Sequence, residues 1–127
     1  GPESLNADVP QPLYQNVFRQ DWLISVSSSP LNELAVMRVA GDSMWDTLQD
    51  GDFILVDRAI ERYTRDGLYV IRYSDGDELM VKRLIRHPSS KLLVVKSDNP
   101  NYPSQTSLKD QDLTIEGRVI WLSRGIG

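Results

Sequence analysis

Two apolar runs separated by a polar turn constrain the fold of this chain more than any other feature. Residues 34–39 and 53–56 are rich in apolar and β-branched side chains, as buried strands are. Between them, Gly41 and the triplet Asp50-Gly51-Asp52 interrupt any regular element. The pattern predicts two strands joined through a short helical turn that begins at Ser43. A serine at such a bend can cap the turn or lie beside an oxyanion.

The rest of the chain continues as short strands joined by turn residues. We predict strands at residues 34–40, 53–57, 68–74, 78–85, 91–97 and 113–122. The sequence Ser74-Asp75-Gly76-Asp77 is typical of a hairpin, because Asp-Gly tolerates the positive φ of tight hairpin turns. Short strands at this spacing predict a mostly β fold, a single curved antiparallel β-domain.

The start of the chain differs from this pattern. Residues 1–15 have several prolines among polar residues and no apolar period, which predicts a flexible arm or linker. Gly1-Pro2 is typical of the remnant of a removed tag, so we expect further natural sequence upstream. Asp21 is a candidate cap for a short N-terminal helix. A single domain is expected over residues 16–127.

Composition excludes several classes of function. With 127 residues, of which 40% are hydrophobic, the chain suits one compact core. A net charge of −4 argues against a large phosphate contact made by this domain itself. The absence of cysteine excludes disulfides and a thiol nucleophile, and it fits the cytoplasmic location that we expect. No run approaches the roughly 18 apolar residues of a membrane span. We therefore expect no membrane partner, and we predict no cofactor or metal.

The serine turn resembles a known family. Gly41-Asp42-Ser43-Met44, followed by Asp50-Gly51-Asp52 and an apolar strand, is similar to the signature of the LexA, phage-repressor and UmuD family of self-cleaving serine peptidases. The resemblance extends over about residues 18–121 and implies the fold of the LexA C-terminal peptidase domain. It also implies that Ser43 is the catalytic nucleophile and Lys82 its base. The Ser43 and Asp42 amides would then hold the oxyanion, with Met44 packed beneath.

The strand that carries Lys82 supports its role as a base independently. Alternation places Met80, Lys82 and Leu84 on one face of a strand, so the lysine has apolar neighbours. Burial lowers the pKa of a lysine and favours a neutral amine that can accept a proton. The alternative is a lysine whose stem covers apolar surface while its ammonium reaches water. The lone histidine, His87, lies in a predicted turn, and nothing else in the sequence supports a Ser-His-Asp triad.

The resemblance implies a regulatory protein. It predicts the C-terminal dimerisation and latent self-cleavage domain of a bacterial or phage transcriptional repressor. Its partners would be a second copy of the chain, operator DNA bound through a helix-turn-helix domain outside this sequence, and an inducer such as the RecA filament of the SOS response or another protein. The alternative is a UmuD-like accessory subunit of a damage-tolerant DNA polymerase.

Four further features bear on this expectation. Self-cleaving members carry Ala-Gly or Cys-Gly upstream of the serine, and no such pair occurs in residues 1–38, where Ala7-Asp8 is the nearest imitation. Asp46 stands where family members often have proline. Residues 97–102 are similar to the Asp-Asn-Pro turn of phage-type repressors and predict an Asx-Pro turn. Gly117, inside the last strand, predicts a bulge or a close backbone approach.

Overall fold

The fold is one sheet of seven antiparallel strands. The computed structural model describes residues 30–125. The strands are β1 (Leu34–Arg38), β2 (Phe53–Asp57), β3 (Gly67–Tyr73), β4 (Met80–Arg86), β5 (Leu93–Lys96), β6 (Gln105–Leu108) and β7 (Leu113–Ser123). Two 3-10 turns, Leu31–Glu33 and Asp110–Asp112, precede β1 and β7. The predicted mostly β, antiparallel fold is confirmed. The predicted arm and N-terminal helix lie outside the described residues.

Strand β7 joins the two halves of the sheet. The strand order is β1-β2-β7-β3-β4-β5-β6. The first part of β7 pairs with β3, from Leu113 opposite Tyr73 to Arg118 opposite Tyr69. The later part pairs with β2, as far as Ser123 opposite Phe53. One long strand therefore links the half that contains β1 and β2 to the half that contains β3 to β6.

Gly117 lies where β7 passes from one pairing to the other. The register shifts there, because Val70 pairs with Gly117 whereas Ile71 pairs with Ile115. A Cβ on Gly117 would lie 2.5 Å from Val56 Cγ1 and 2.9 Å from the Asp57 carbonyl oxygen. The predicted bulge and close backbone approach are confirmed, and the neighbouring backbone is β2 of the same chain.

The sheet buries two apolar clusters. Adjacent residues of β3 belong to different clusters, because successive side chains of a strand lie on opposite faces. Val70 packs in the first cluster and Tyr69 in the second. The first cluster also contains the buried side chains Met37, Val39, Met44, Leu48, Ile54, Val56, Leu79 and Val81. The serine turn thus contributes directly to one of the two cores.

Two local predictions differ from the structure. Strand β6 was not predicted, since its sequence Gln-Thr-Ser-Leu is polar and mostly exposed. It pairs with β5 at the edge of the sheet. The hairpin between β3 and β4 is confirmed, but its connection spans residues 74–79. The described glycines with positive φ are Gly41 and Gly51, which flank the serine turn, so Gly76 does not use the left-handed conformation.

Candidate active site

The turn that carries Ser43 is closed by its two ends. Gly41, at a φ of +83°, donates its N–H to Asp50 Oδ1 at 2.7 Å. Gly51, at a φ of +89°, donates its N–H to the Val39 carbonyl at 2.8 Å. Glycine suits both positions because a side chain disfavours positive φ. Between these ends the backbone forms successive turns without a regular helix, which is consistent with the short helical turn that the sequence predicts at Ser43.

Buried side chains hold this turn against the sheet. Met44 and Leu48 are each only 1% exposed and pack in the first core cluster. The Leu48 N–H donates to the Met44 carbonyl at 2.9 Å. The prediction that Met44 packs beneath the turn is confirmed. Because Met44 points into the core, its neighbour Ser43 lies half-buried at the rim of a pocket.

Asp52 fixes the C-terminal end of the serine turn. Its carboxylate is 2% exposed and accepts two hydrogen bonds from Arg124, at 2.9 and 2.7 Å. The Gln49 N–H donates to the same carboxylate at 2.8 Å. Burial alone would raise the pKa of Asp52, but the bonds from Arg124 and Gln49 outweigh it and the pKa lies below its usual value. A charged carboxylate thus ties the turn to the end of β7.

One pocket of about 230 Å³ is lined by both Ser43 and Lys82. Its walls come from residues 39–44 of the turn, from Glu78 and β4, and from Tyr102. A second pocket lies on the other side of Lys82 and shares Met80, Lys82 and Tyr102 with the first. His87 is exposed in the turn after β4 and lines neither pocket. The structure therefore brings the predicted serine and lysine to one pocket and leaves the histidine outside it.

Lys82 is half-buried, and its ammonium has one hydrogen-bond acceptor that the sequence did not indicate. Lys82 Nζ donates to Ser97 Oγ at 2.7 Å. Burial lowers the pKa of Lys82 below its usual value of 10.5, while the Glu78 carboxylate opposes this shift. The direction agrees with the expectation from the strand pattern. A lowered pKa increases the fraction of neutral amine, the form that accepts a proton.

The backbone of Asp42 and Ser43 offers donors beside the pocket. Neither N–H has a hydrogen-bond acceptor within residues 30–125. Such amides can stabilise a developing oxyanion, so the predicted role of Asp42 and Ser43 in an oxyanion site stays a prediction. The Asp42 side chain has a different contact, since its carboxylate accepts a hydrogen bond from the Tyr102 hydroxyl.

The segment that follows β5 contributes residues to the site that the sequence did not identify. The Asn99 N–H donates to the Ser43 carbonyl at 3.0 Å, and Asn99 Nδ2 donates to the Asp42 carbonyl at 3.0 Å. Asn99 Oδ1 also accepts the Asn101 N–H at 2.9 Å, which confirms the predicted Asx turn. The motif indicated the turn, but no signal in the sequence indicated that the turn would hold the backbone of Ser43.

Asp98, in the same segment, bridges the serine turn and β4. Its carboxylate accepts two hydrogen bonds from Arg83, both at 2.8 Å, and one from Thr47 Oγ1 at 2.6 Å. Its N–H donates to Met44 Sδ at 3.4 Å. Arg83 directly follows Lys82 in β4. Asp98 therefore connects the strand of the lysine to the turn of the serine.

The sequence of this chain also matches a known protein family. The sequence pattern of the Peptidase S24-like family matches residues 3–120, nearly the whole chain. This chain belongs to that family. The S24 domain described here is therefore related by descent to the other members of that family. In residues 30–125, no helix has the length and apolar character needed to cross a membrane.

Curated relatives of this S24 domain are repressors. The LexA repressor of Pseudomonas chlororaphis is 40% identical over 91 residues, which cover 70% of this chain and 43% of the relative. The 26 kDa repressor protein of Escherichia phage HK022 is 39% identical over 79 residues, covering 62% of this chain and 32% of the relative. The repressor protein CI of Enterobacteria phage phi80 is 34% identical over 84 residues, covering 66% and 34%. The chain thus spans less than half the length of these relatives, and none of the three similarities favours the UmuD-like alternative.

Proposed function

We propose that this S24 domain is the C-terminal dimerisation and self-cleavage domain of a bacterial or phage transcriptional repressor, with Ser43 and Lys82 as its catalytic dyad. The observation that carries the proposal is that both side chains line one pocket, where burial lowers the pKa of the lysine. The similarity to LexA and phage repressors supports the regulatory setting. The net charge of −4 argues against a DNA contact made by this domain itself, so in this proposal operator DNA is bound by a separate helix-turn-helix domain.

The proposed reaction is acyl transfer. The neutral amine of Lys82 takes the hydroxyl proton of Ser43 as Oγ attacks the carbonyl carbon of a peptide bond. The amides of Ser43 and Asp42 stabilise the oxyanion that develops. As the carbon–nitrogen bond breaks, the Lys82 ammonium gives its proton to the leaving amine. A water molecule then attacks the ester, with Lys82 again as base, and releases Ser43 and a new carboxylate.

A cleavable bond is needed to test this reaction, because residues 1–38 contain no Ala-Gly or Cys-Gly. Asp8→Gly creates Ala-Gly at positions 7 and 8. We expect this variant to be cut there, and faster as the pH rises from 7 to 10, since more Lys82 is then neutral. Mass spectrometry of the fragments identifies the bond. The unsubstituted chain should remain intact at neutral pH.

Two substitutions and one control test the dyad. In the Asp8→Gly background, Ser43→Ala and Lys82→Ala should each lower the rate by more than about 10³-fold, because both groups act in every proton transfer. His87→Ala should leave the rate unchanged. A cut that survives both dyad substitutions would identify a contaminating protease. A correctly folded Asp8→Gly variant that stays intact at every pH would contradict cleavage at this bond and favour a role in dimerisation alone.

A further inference from the structure

The three consecutive residues 97–99 contact both elements of the candidate site. Ser97 Oγ accepts the hydrogen bond from Lys82 Nζ, and the Asn99 N–H donates to the Ser43 carbonyl. We propose that Ser97 is a positioning residue for Lys82, and that residues 97–99 set where the lysine amine lies relative to Ser43. This inference rests on the proposed function, because it names the residue that holds the proposed base, Lys82, in position.

The burial of the segment supports a positioning role. Ser97 is 4% exposed and Asn99 is 6% exposed. A buried polar side chain needs a hydrogen-bond partner, and the partner of Ser97 is the lysine amine at 2.7 Å. A lysine side chain has many rotamers, and fixing them costs conformational entropy. A hydrogen-bond acceptor that is fixed in the protein interior favours the lysine rotamers that reach it. The Lys82 side chain is therefore already restricted in the folded protein, before a substrate binds.

The acceptor can select a rotamer only if it is itself fixed, and Asp98 provides this. Its bonds to Arg83 hold the segment to β4, one residue from Lys82. Its bond from Thr47 holds the segment to the serine turn. The distance between Ser97 and the strand of the lysine is therefore set by a second, independent contact. Movement of Ser97 away from Lys82 would require these bonds to break as well.

The chemistry of the amine gives this contact a function. A neutral lysine amine has two N–H donors and one lone pair, whereas the ammonium has three donors and no lone pair. When one N–H is donated to Ser97, the lone pair can point only in directions away from Ser97. Lys82 lines the pocket that contains Ser43, whereas Ser97 does not line it, so a lone pair directed away from Ser97 is available to that pocket. Ser97 thus helps to present the basic lone pair to Ser43.

The proposal is tested first by cleavage in the Asp8→Gly background. Ser97→Ala should lower the maximal cleavage rate at alkaline pH by about 10- to 100-fold, because the Lys82 amine is no longer held in position relative to Ser43. The midpoint of the pH profile should also move to lower pH, since the ammonium loses a charge-assisted hydrogen bond. Ser97→Thr keeps the hydroxyl and should restore most of the rate. Ser90→Ala is the matched control, because it removes a serine that bonds the Leu92 N–H in an exposed turn.

A measurement without catalysis separates this proposal from the proposed function. Nitrogen-15 NMR of the lysine amines, titrated with pH in the chain without Asp8→Gly, should show a lower pKa for Lys82 in Ser97→Ala than in the unsubstituted chain. If no variant cleaves but this shift is present, cleavage after Ala7 in the Asp8→Gly background is contradicted and the positioning role stands. If folded Ser97→Ala leaves the pKa of Lys82 unchanged, the positioning role is wrong, whatever the cleavage result. Should Ser97→Ala not fold, Ser97→Cys, of similar size and a much weaker acceptor, is judged by the same criterion.

Discussion

Replacing Asp98 by alanine tests how strongly the serine turn is tied to β4. The Asp98 side chain is 10% exposed and Arg83 is 33% exposed. Removing one partner of a buried charge pair destabilises a protein by about 3–5 kcal/mol. Arg83 is a third exposed, so water can solvate its freed guanidinium and reduce the loss. We expect Asp98→Ala to lower the free energy of unfolding by about 2–3 kcal/mol.

A second ion pair in the same chain provides the matched control. Arg86 donates two hydrogen bonds to Asp110, at 2.9 and 3.1 Å, so the bonding pattern resembles that of Arg83 and Asp98. The Asp110 side chain is 66% exposed, however. Exposed pairs contribute at most about 1 kcal/mol, so Asp110→Ala should have little effect. Urea denaturation at pH 7 measures both variants. Equal losses for the two variants would refute the argument that burial decides the strength of these pairs.

The effect of Asp98→Ala should also depend on pH. The hydrogen bonds from Arg83, with that from Thr47, hold the pKa of Asp98 below its usual 3.8, although burial acts in the opposite direction. A carboxylate with a lowered pKa stabilises the folded state fully above 3.8, and this contribution is lost as the pH falls through the lowered value. The difference in unfolding free energy between the unsubstituted chain and Asp98→Ala should therefore narrow below about pH 4. If the difference in unfolding free energy stayed constant down to about pH 2, the conclusion that Asp98 has a lowered pKa in the folded state would be wrong.

Two further predictions concern the sheet. Gly117→Ala should lower the free energy of unfolding by about 1–3 kcal/mol, because the new Cβ would lie 2.5 Å from Val56 Cγ1. An unchanged melting temperature in calorimetry would contradict the close approach of β7 to β2. The domain should dimerise, since helix-turn-helix repressors bind paired half-sites and need a two-fold partner, with the surface of β7 around Trp121 as the candidate interface. Sedimentation equilibrium that shows only monomer at high micromolar concentration would argue against this.

The strands that the sequence predicts are those whose own residues carry the signal. Strands β1 and β2 are apolar runs between breakers, and the burial of every residue from Leu34 to Met37 reflects this. Strand β6 has no such signal. Residues 105–107 are polar and exposed, and the strand exists because β5 offers an edge with unpaired backbone groups. A property of the neighbouring strand cannot be read from the segment itself.

The residues of the candidate site also fall into two groups, those that a local sequence pattern indicates and those that it does not. Ser43 lies in a local motif, and Lys82 lies between two apolar residues of its own strand, so both could be proposed from short stretches of sequence. Ser97 and Asp98 contact residues that lie elsewhere in the chain, on β4 and on the serine turn. The sequence indicated only the Asx turn that follows them. Which side chains a turn will touch depends on the strand order, and the local pattern contains no information on that order.

The position of β7 has a consequence for the time at which the site can form during synthesis. The last strand in sequence order is the third in the sheet, and it separates β1 and β2 from β3 to β6. Until β7 has left the ribosome, the two halves of the sheet share no strand, and pairings between distant segments form late because loop closure is unfavourable. Ser43 belongs to the first half and Lys82 to the second. A nascent chain therefore acquires the strand that joins the two elements of the pocket only when almost the whole domain has been made.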